Sequence, residues 1–186
     1  MNCGFTSPIQ SDCNDLLKVG GAKKRYWIGN IDDLDKSMGV GGYALDVSGN
    51  ITQLYFKAYK GLYPFETKKN TVFGGFELVV GEGSNVFNHT FTAKVLKETA
   101  EAYATLKDLS VSEVFIIEET NSGLIKVFGI DSGMSVATMV QSDGVNQQAD
   151  TSIAVTFAGA DDDLPRFFLT TDLPTTIGLI ETYEIA

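Results

Sequence analysis

The stretch Val114-Phe115-Ile116-Ile117-Glu118-Glu119-Thr120-Asn121-Ser122-Gly123-Leu124-Ile125-Lys126-Val127-Phe128-Gly129-Ile130 decides the fold class. Two runs rich in β-branched and aromatic residues, Val111 to Glu118 and Leu124 to Ile130, flank the turn residues Asn121-Ser122-Gly123, which is the pattern of a β-hairpin. Neither arm alternates between apolar and polar positions. A strand with one wet face must alternate, because successive side chains point to opposite sides. Nearly continuous apolar arms therefore predict central strands, covered on both faces.

Upstream, Gly42 to Val47 and Ile51 to Lys57 flank Ser48-Gly49-Asn50 and predict another hairpin. Leu54 breaks the phase set by Ile51, so a bulge is expected near Thr52-Gln53. Arg25 to Asn30 reads as a short aromatic strand. Tyr59 to Phe65 and Thr71 to Val80 read as two more, joined by the charged connection Glu66-Thr67-Lys68-Lys69-Asn70, which is expected to project. Another strand starts at Val86. The period then changes: from Ala93 to Leu109, Val95, Thr99, Ala102, Leu106 and Leu109 recur at helical spacing, which predicts one amphipathic helix over 93–109. Downstream, Asp131 to Asp150 is poorly periodic, a functional loop or a sheet edge. Ile153 to Gly159 and Arg166 to Leu169 read as strands, and Ile177 to Ile185 as a last short one. The expectation is a mainly β chain, an antiparallel β-sandwich or partly open barrel with one flanking α-helix. Its 186 residues suit one domain. We divide them into an N-terminal arm at 1–22, carrying the apolar set Ile9, Leu16, Leu17 and Val19, and a single β-rich domain at 23–186.

The surface is unusually poor in charge. Asp, Glu, Lys and Arg make up only 20% of the chain, while 19 glycines and many Ser, Thr, Asn and Gln fill their place. That composition fits many turns and surfaces covered by other copies of the chain. The net charge is -10. Gripping a phosphate backbone needs clustered cations, and only Lys23-Lys24-Arg25 and Lys68-Lys69 offer them, so sequence-reading of nucleic acid is excluded. An acidic surface still suits a passage that must not hold its nucleic-acid cargo. No apolar run reaches the length of a membrane span, and the N-terminus lacks the pattern of a signal peptide. Cys3 and Cys13, the only cysteines, are accordingly expected to be reduced thiols.

The search for chemistry returns little. His89 is the sole histidine, in a strand-like context that favours a structural or surface role. Pairing it with Cys3 or Cys13 in a nucleophilic or zinc site lacks the necessary spacing. The dense acidic spots, Asp32-Asp33-Asp35, Glu118-Glu119 and Asp161-Asp162-Asp163, read as solvated turns, since none follows the alternating ligand pattern of a calcium loop. Gly39-Val40-Gly41-Gly42 and Gly20-Gly21-Ala22-Lys23-Lys24 read as tight turns, not phosphate loops. No catalytic, cofactor-binding or metal-binding residue is assigned, and no enzyme is expected. Tyr26, Trp27, Tyr55, Phe56, Tyr59, Tyr63 and Phe65 crowd one stretch. Core packing and a protein interface explain them best, with a carbohydrate platform as the rival.

One resemblance ties these readings together. The order Lys24-Arg25-Tyr26-Trp27-Ile28-Gly29-Asn30, the hairpin through Gly49, Tyr59 to Phe65, and Phe87-Asn88-His89-Thr90-Phe91 leading into a helix resembles tail tube proteins of tailed phages, in particular those infecting Bacteroidetes. Val114 to Glu118, Gly123 to Gly129, Gly133-Met134, Asp143-Gly144, Ile153 to Gly159 and Leu164-Pro165 extend it over about residues 23–170. The resemblance implies a virion structural protein whose hexameric rings stack into a tube, each subunit giving strands to an inner β-barrel. The implied partners are further copies of the chain, other tail proteins (tape measure, terminator, baseplate), and double-stranded DNA passing through without specific binding, with no membrane. The implied location is the phage tail, and the host cytoplasm during assembly. By the same resemblance, residues 1–22 and the loop 59–71 are stacking candidates, and the hairpins 42–57 and 114–130 are candidates for the lumen wall. Another head–tail or tail component (terminator, connector, baseplate) and a glycan-binding β-sandwich are the alternatives.

Overall fold

The computed structural model describes residues 22–67, 71–80, 85–95, 99–142 and 152–185. Within them, the hairpin that opened the sequence reading is the middle of the molecule. Strand β7 (Val114–Thr120) is buried from Val114 to Glu119, and its side chains divide between two cores. Val114 and Ile116 face one; Phe115 and Ile117 face the other. A run of four apolar residues thus satisfies the period of two on both faces at once.

Around β7 lies an antiparallel sheet in the order β11-β8-β7-β1-β4, with β1 Ala22–Asn30, β4 Tyr63–Glu66, β8 Ile125–Phe128 and β11 Arg166–Phe167. On one side packs a four-stranded antiparallel sheet, β5-β6-β10-β9, made of Val72–Val80, Asn85–Val95, Ser152–Asp161 and Ser135–Ser142. Tyr26, Ile28 and Phe128 of the central sheet meet Phe91, Val155 and Phe157 of this outer sheet in the first core. On the opposite side, the hairpin β2 (Tyr43–Leu45) and β3 (Ile51–Leu54) and a C-terminal helix cover the second core, around Trp27, Phe115, Leu62 and Ile180. The architecture is a β-sandwich with a third layer, and the sheets do not close into a barrel, so that option falls away.

Three expectations hold at residue level. The hairpin bulge falls where predicted: Ala44 pairs with Gln53 and Leu45 with Ile51, leaving Thr52 over. Gly39, Gly41 and Gly42 form a tight turn with positive φ at each. The expected edge in 131–150 is β9, while residues 143–150 lie outside the described set. The arm, with Cys3 and Cys13, and most of the 66–70 connection also lie outside it.

Two helix expectations are corrected. The predicted helix over 93–109 occupies only Ala100–Leu109 (α1), capped by Thr99, whose Oγ1 accepts the Ala102 N–H at 3.3 Å. Ala93 and Val95 belong to β6, which is paired on both sides, with β5 and with β10. Two ladders of backbone hydrogen bonds outweigh the few tenths of a kcal/mol per residue by which Ala and Lys favour helix. Val95 also points into the core as a strand residue would, so its place in a helical stripe was a coincidence of spacing.

The second correction is larger: one helix was expected and the described residues hold two α-helices. Of the residues expected as a last strand over 177–185, 177–182 are the end of α2 (Leu173–Thr182), and Glu184 alone makes a bridge, parallel to Leu62. Its start signal was present in the sequence. Asp172 accepts the Thr175 N–H at 2.8 Å, and Pro174 occupies the first turn, where its missing N–H costs nothing. Leu173, Thr176, Ile177 and Ile180 follow at helical spacing and face the second core. The C-terminal segment then locks down: Leu62 N–H donates to Tyr183 O and Ile185 N–H to Leu62 O, and Trp27 Nε1 donates to Glu184 at 2.8 Å.

Two substitutions test this packing. Leu106 is the buried anchor of α1, so Leu106→Ala is expected to lower unfolding free energy by about 2–4 kcal/mol in a urea titration. Gly178 sits inside α2, and a Cβ there would meet nothing within 4 Å. Gly178→Ala is therefore expected to stabilise by about 0.5–1 kcal/mol, the helix penalty of glycine.

Candidate assembly surface

The outer sheet is the part of the molecule whose backbone and side chains are least used by the fold. Its strand order leaves β5 and β9 as edges, and among the described residues no strand pairs with their free sides. These edges are long, nine and eight residues. The hairpin formed by the end of β5 and the start of β6 carries apolar side chains on both faces. Phe76, Leu78 and Phe87 lie on one, with Phe76 and Phe87 rings 6.3 Å apart, and Val79 and Val86 on the other. Val80, at the end of β5, is 72% exposed and Phe73 66%. On β9, Met139 and Val140 are exposed as well. Long exposed apolar edges invite further strands, and soluble monomers ordinarily blunt them.

The solvent face of the sheet has a distinct chemistry. The register places Thr90, Thr92, Thr156 and Thr138 on it with Ala154, Ala158, Ala160 and Gly75, and with the apolar Phe73, Val79, Val86 and Val140 toward its edges and one end. Thr92 and Thr156 hydroxyls are 3.0 Å apart across the β6–β10 ladder. Among the described residues, Glu77 and Lys94 are the charges on this face. The acid that dominates the composition lies elsewhere, so this face is close to neutral and hydroxyl-rich.

The acidic spots were expected to be solvated turns; this holds for Asp32, Asp162 and Asp163, which are exposed, and is corrected for four others. Asp33, Glu118, Glu119 and Asp161 are all buried. Each has a partner that makes burial tolerable: Asn30 Nδ2 donates to Asp33 at 2.8 Å, Lys23 pairs with Glu119, and Lys126 lies opposite Glu118. Asp161 belongs to a network that joins the layers. Gly129 N–H donates to His89 Nδ1 at 3.1 Å, so that nitrogen is an acceptor and the ring is the neutral form protonated at Nε2. His89 Nε2 then donates to the Asp163 carbonyl at 2.9 Å. Asp161 Oδ2 is 4.0 Å from Nδ1. Nearby, Tyr43 donates to Asp131, and Arg166 holds both Asp131 and Asp163, at 3.1 and 3.2 Å. His89 is thus a structural residue, as its context indicated, packed edge-on against Phe128.

The remaining sequence candidates scatter. Tyr26 and Trp27 are both buried, on opposite faces of β1, Tyr26 stacking on Phe65 and Trp27 lying in the second core. The aromatic stretch is therefore not one exposed platform. Tyr63 is exposed, and Tyr59 fully so, with φ +62, a left-handed conformation costing a non-glycine residue of order 1 kcal/mol. Lys57 donating to the Asp32 carbonyl and Lys60 paired with Asp33 at 3.2 Å hold its loop in place. The strands of hairpin 114–130 form the interior of the molecule, whereas 42–57 covers the second core with one face and leaves the other to solvent, with Val47 fully exposed. Among the described residues, no helix is long and apolar enough to cross a membrane. Compared with family models, with curated proteins and with solved structures, the chain matches none.

Burial, and next to it the Asp131 charge, raise the Asp161 pKa above the ordinary carboxylate value. The folded state then holds a proton that the unfolded state releases, so this group's contribution to stability falls as pH rises from about 4 through the raised value. Asp161→Asn, which keeps an acceptor for the Asp162 N–H, removes that dependence. Wild type is expected to lose ground to Asp161→Asn as pH increases through that window, read by urea unfolding at several pH values.

Proposed function

We propose that the chain is a virion structural protein, the major tail tube subunit, forming stacked hexameric rings around a channel for DNA. The observation that carries this reading is the pair of long, unpaired edges of the outer sheet, β5 and β9. Strands alternate in direction across the sheet, so with four of them the two edges run oppositely. Under rotation about an axis along the strands, β9 of one copy meets β5 of the next in the antiparallel sense, and the alternation continues. Such head-to-tail pairing closes into a ring and leaves no edge bare.

The face chemistry supports the same reading. A wall of Thr, Ala and Gly with the apolar Phe73, Val79 and Val140 offers passing phosphates few cations to grip, and its Lys94 is matched by one acid, Glu77. The apolar hairpin of β5 and β6 reaches beyond the two-layer core and serves as a contact between copies. Tyr59, presented on its tied-down loop, suits contact with the adjoining ring. The sixfold symmetry and the tail location rest on the resemblance of the sequence to phage tail tube proteins.

The test is assembly. Purified wild type, followed by light scattering and electron microscopy across concentration, is expected to give rings and then tubes. Phe76→Asp and Val80→Asp put charge on side chains exposed in the monomer. Both are expected to leave thermal unfolding of the monomer unchanged and to raise the concentration needed for assembly about tenfold or more, the equivalent of 1.4 kcal/mol per contact. Wild type that stays monomeric at every concentration would refute the reading. Isolated rings that never stack would favour a terminator or connector.

A further inference from the structure

The β5 edge is not bare along its whole length. Glu118 extends from β7 of the central sheet toward the outer sheet, where its carboxylate accepts the backbone N–H of Gly74 on β5. The site is built around that contact. A Cβ at Gly74 would overlap Glu118 Oε2 and lie 2.6 Å from the Phe128 ring, so only glycine lets the strand come this close. Glu118 itself is 4% exposed. Its register partner on β8 is Lys126, and beside them a groove of about 350 Å³ runs between β5 and β11, lined by Gly75, Phe76, Leu164 and Phe167.

A buried carboxylate is an expensive way to fasten a strand that an apolar residue would hold as well. Burial raises its pKa, and the Lys126 charge and the Gly74 N–H only partly offset this. What a carboxylate does that an apolar side chain does not is occupy a donor on the outermost strand. An incoming strand presents carbonyl oxygens to that edge, and a carbonyl and a carboxylate cannot share one N–H without repelling each other.

We infer that Glu118 guards the β5 edge, holding Gly74 closed to a second copy of the chain until the arriving strand displaces the carboxylate. The inference rests on the reading of β5 as an edge that receives another copy. It explains how a subunit with such an edge stays free after synthesis: pairing starts at the unguarded 76–80 segment and can extend past Gly74 only when enough of the partner is already docked. The guard slows the unplanned pairing of two subunits more than growth on an existing ring.

The experiment compares wild type with Glu118→Met, which keeps volume and removes the acceptor, and Glu118→Gln, which keeps a weaker, neutral one. Amide exchange of Gly74 in the monomer and the lag before assembly are both measured. Gly74 exchange is expected to rise about tenfold in Glu118→Met, with the lag shortened to match, and Glu118→Gln is expected to fall between. Equal lags in all three, with assembly proceeding, overturn the guard and leave the tube reading intact. Gly74 exchange unchanged by Glu118→Met also overturns it. If circular dichroism finds the Met variant unfolded, Glu118→Gln against wild type decides in the same way. Wild type that stays monomeric at every concentration removes the tube reading and the guard with it.

Discussion

The central sheet is apolar on both faces, and the rest of the fold is arranged to cover it. Each of Val114, Phe115, Ile116 and Ile117 is fully buried and contributes about 1.5–3 kcal/mol by leaving water. That gain is available only if two separate layers form. The outer sheet supplies one, and the β2–β3 hairpin with α2 supplies the other. Remove either and a face of β7 and β1, including Tyr26 or Trp27, is left wet.

The two layers are not equivalent in what they have left over. The hairpin and α2 are consumed by their covering role, with Tyr43, Ile51, Leu54 and Ile180 all inward and the C-terminal strand segment tied to Leu62. The outer sheet covers the core with part of one face and keeps a complete second face, two edges and a protruding hairpin. Surplus of that kind is why the sheet, not a pocket, is the candidate site.

Between the layers the polar joints do the positioning. The His89–Asp163–Arg166–Asp131–Tyr43 network ties the end of β6 to the β10–β11 connection and to the hairpin of the opposite layer. Glu118 and Gly74 make a second joint close by, since Gly74 pairs with Phe91, two residues from His89, and both joints lie against Phe128. These contacts fix how the outer sheet sits on the central one, and so the angle at which its edges are presented to a neighbour.

The sequence by itself determined the mainly β class, the central place of 114–130 and the bulge at Thr52, because each is written in local patterns of period, phase and turn residues. It also contained the α2 start signal at Asp172 and Pro174, which dense apolar residues over 177–185 obscured. Only the tertiary structure decided the rest. Helix α1 starts at Ala100, not Ala93, because β6 finds partners on both sides, and pairing partners are not visible in a window of sequence. Glu118 and Glu119 are buried because a cation and an amide distant in sequence, Lys23 for Glu119 and Gly74 for Glu118, arrive beside them on folding. Which strands remain unpaired is likewise a property of the whole sheet order. An edge is defined by the absence of a neighbour, and no local pattern of residues records that.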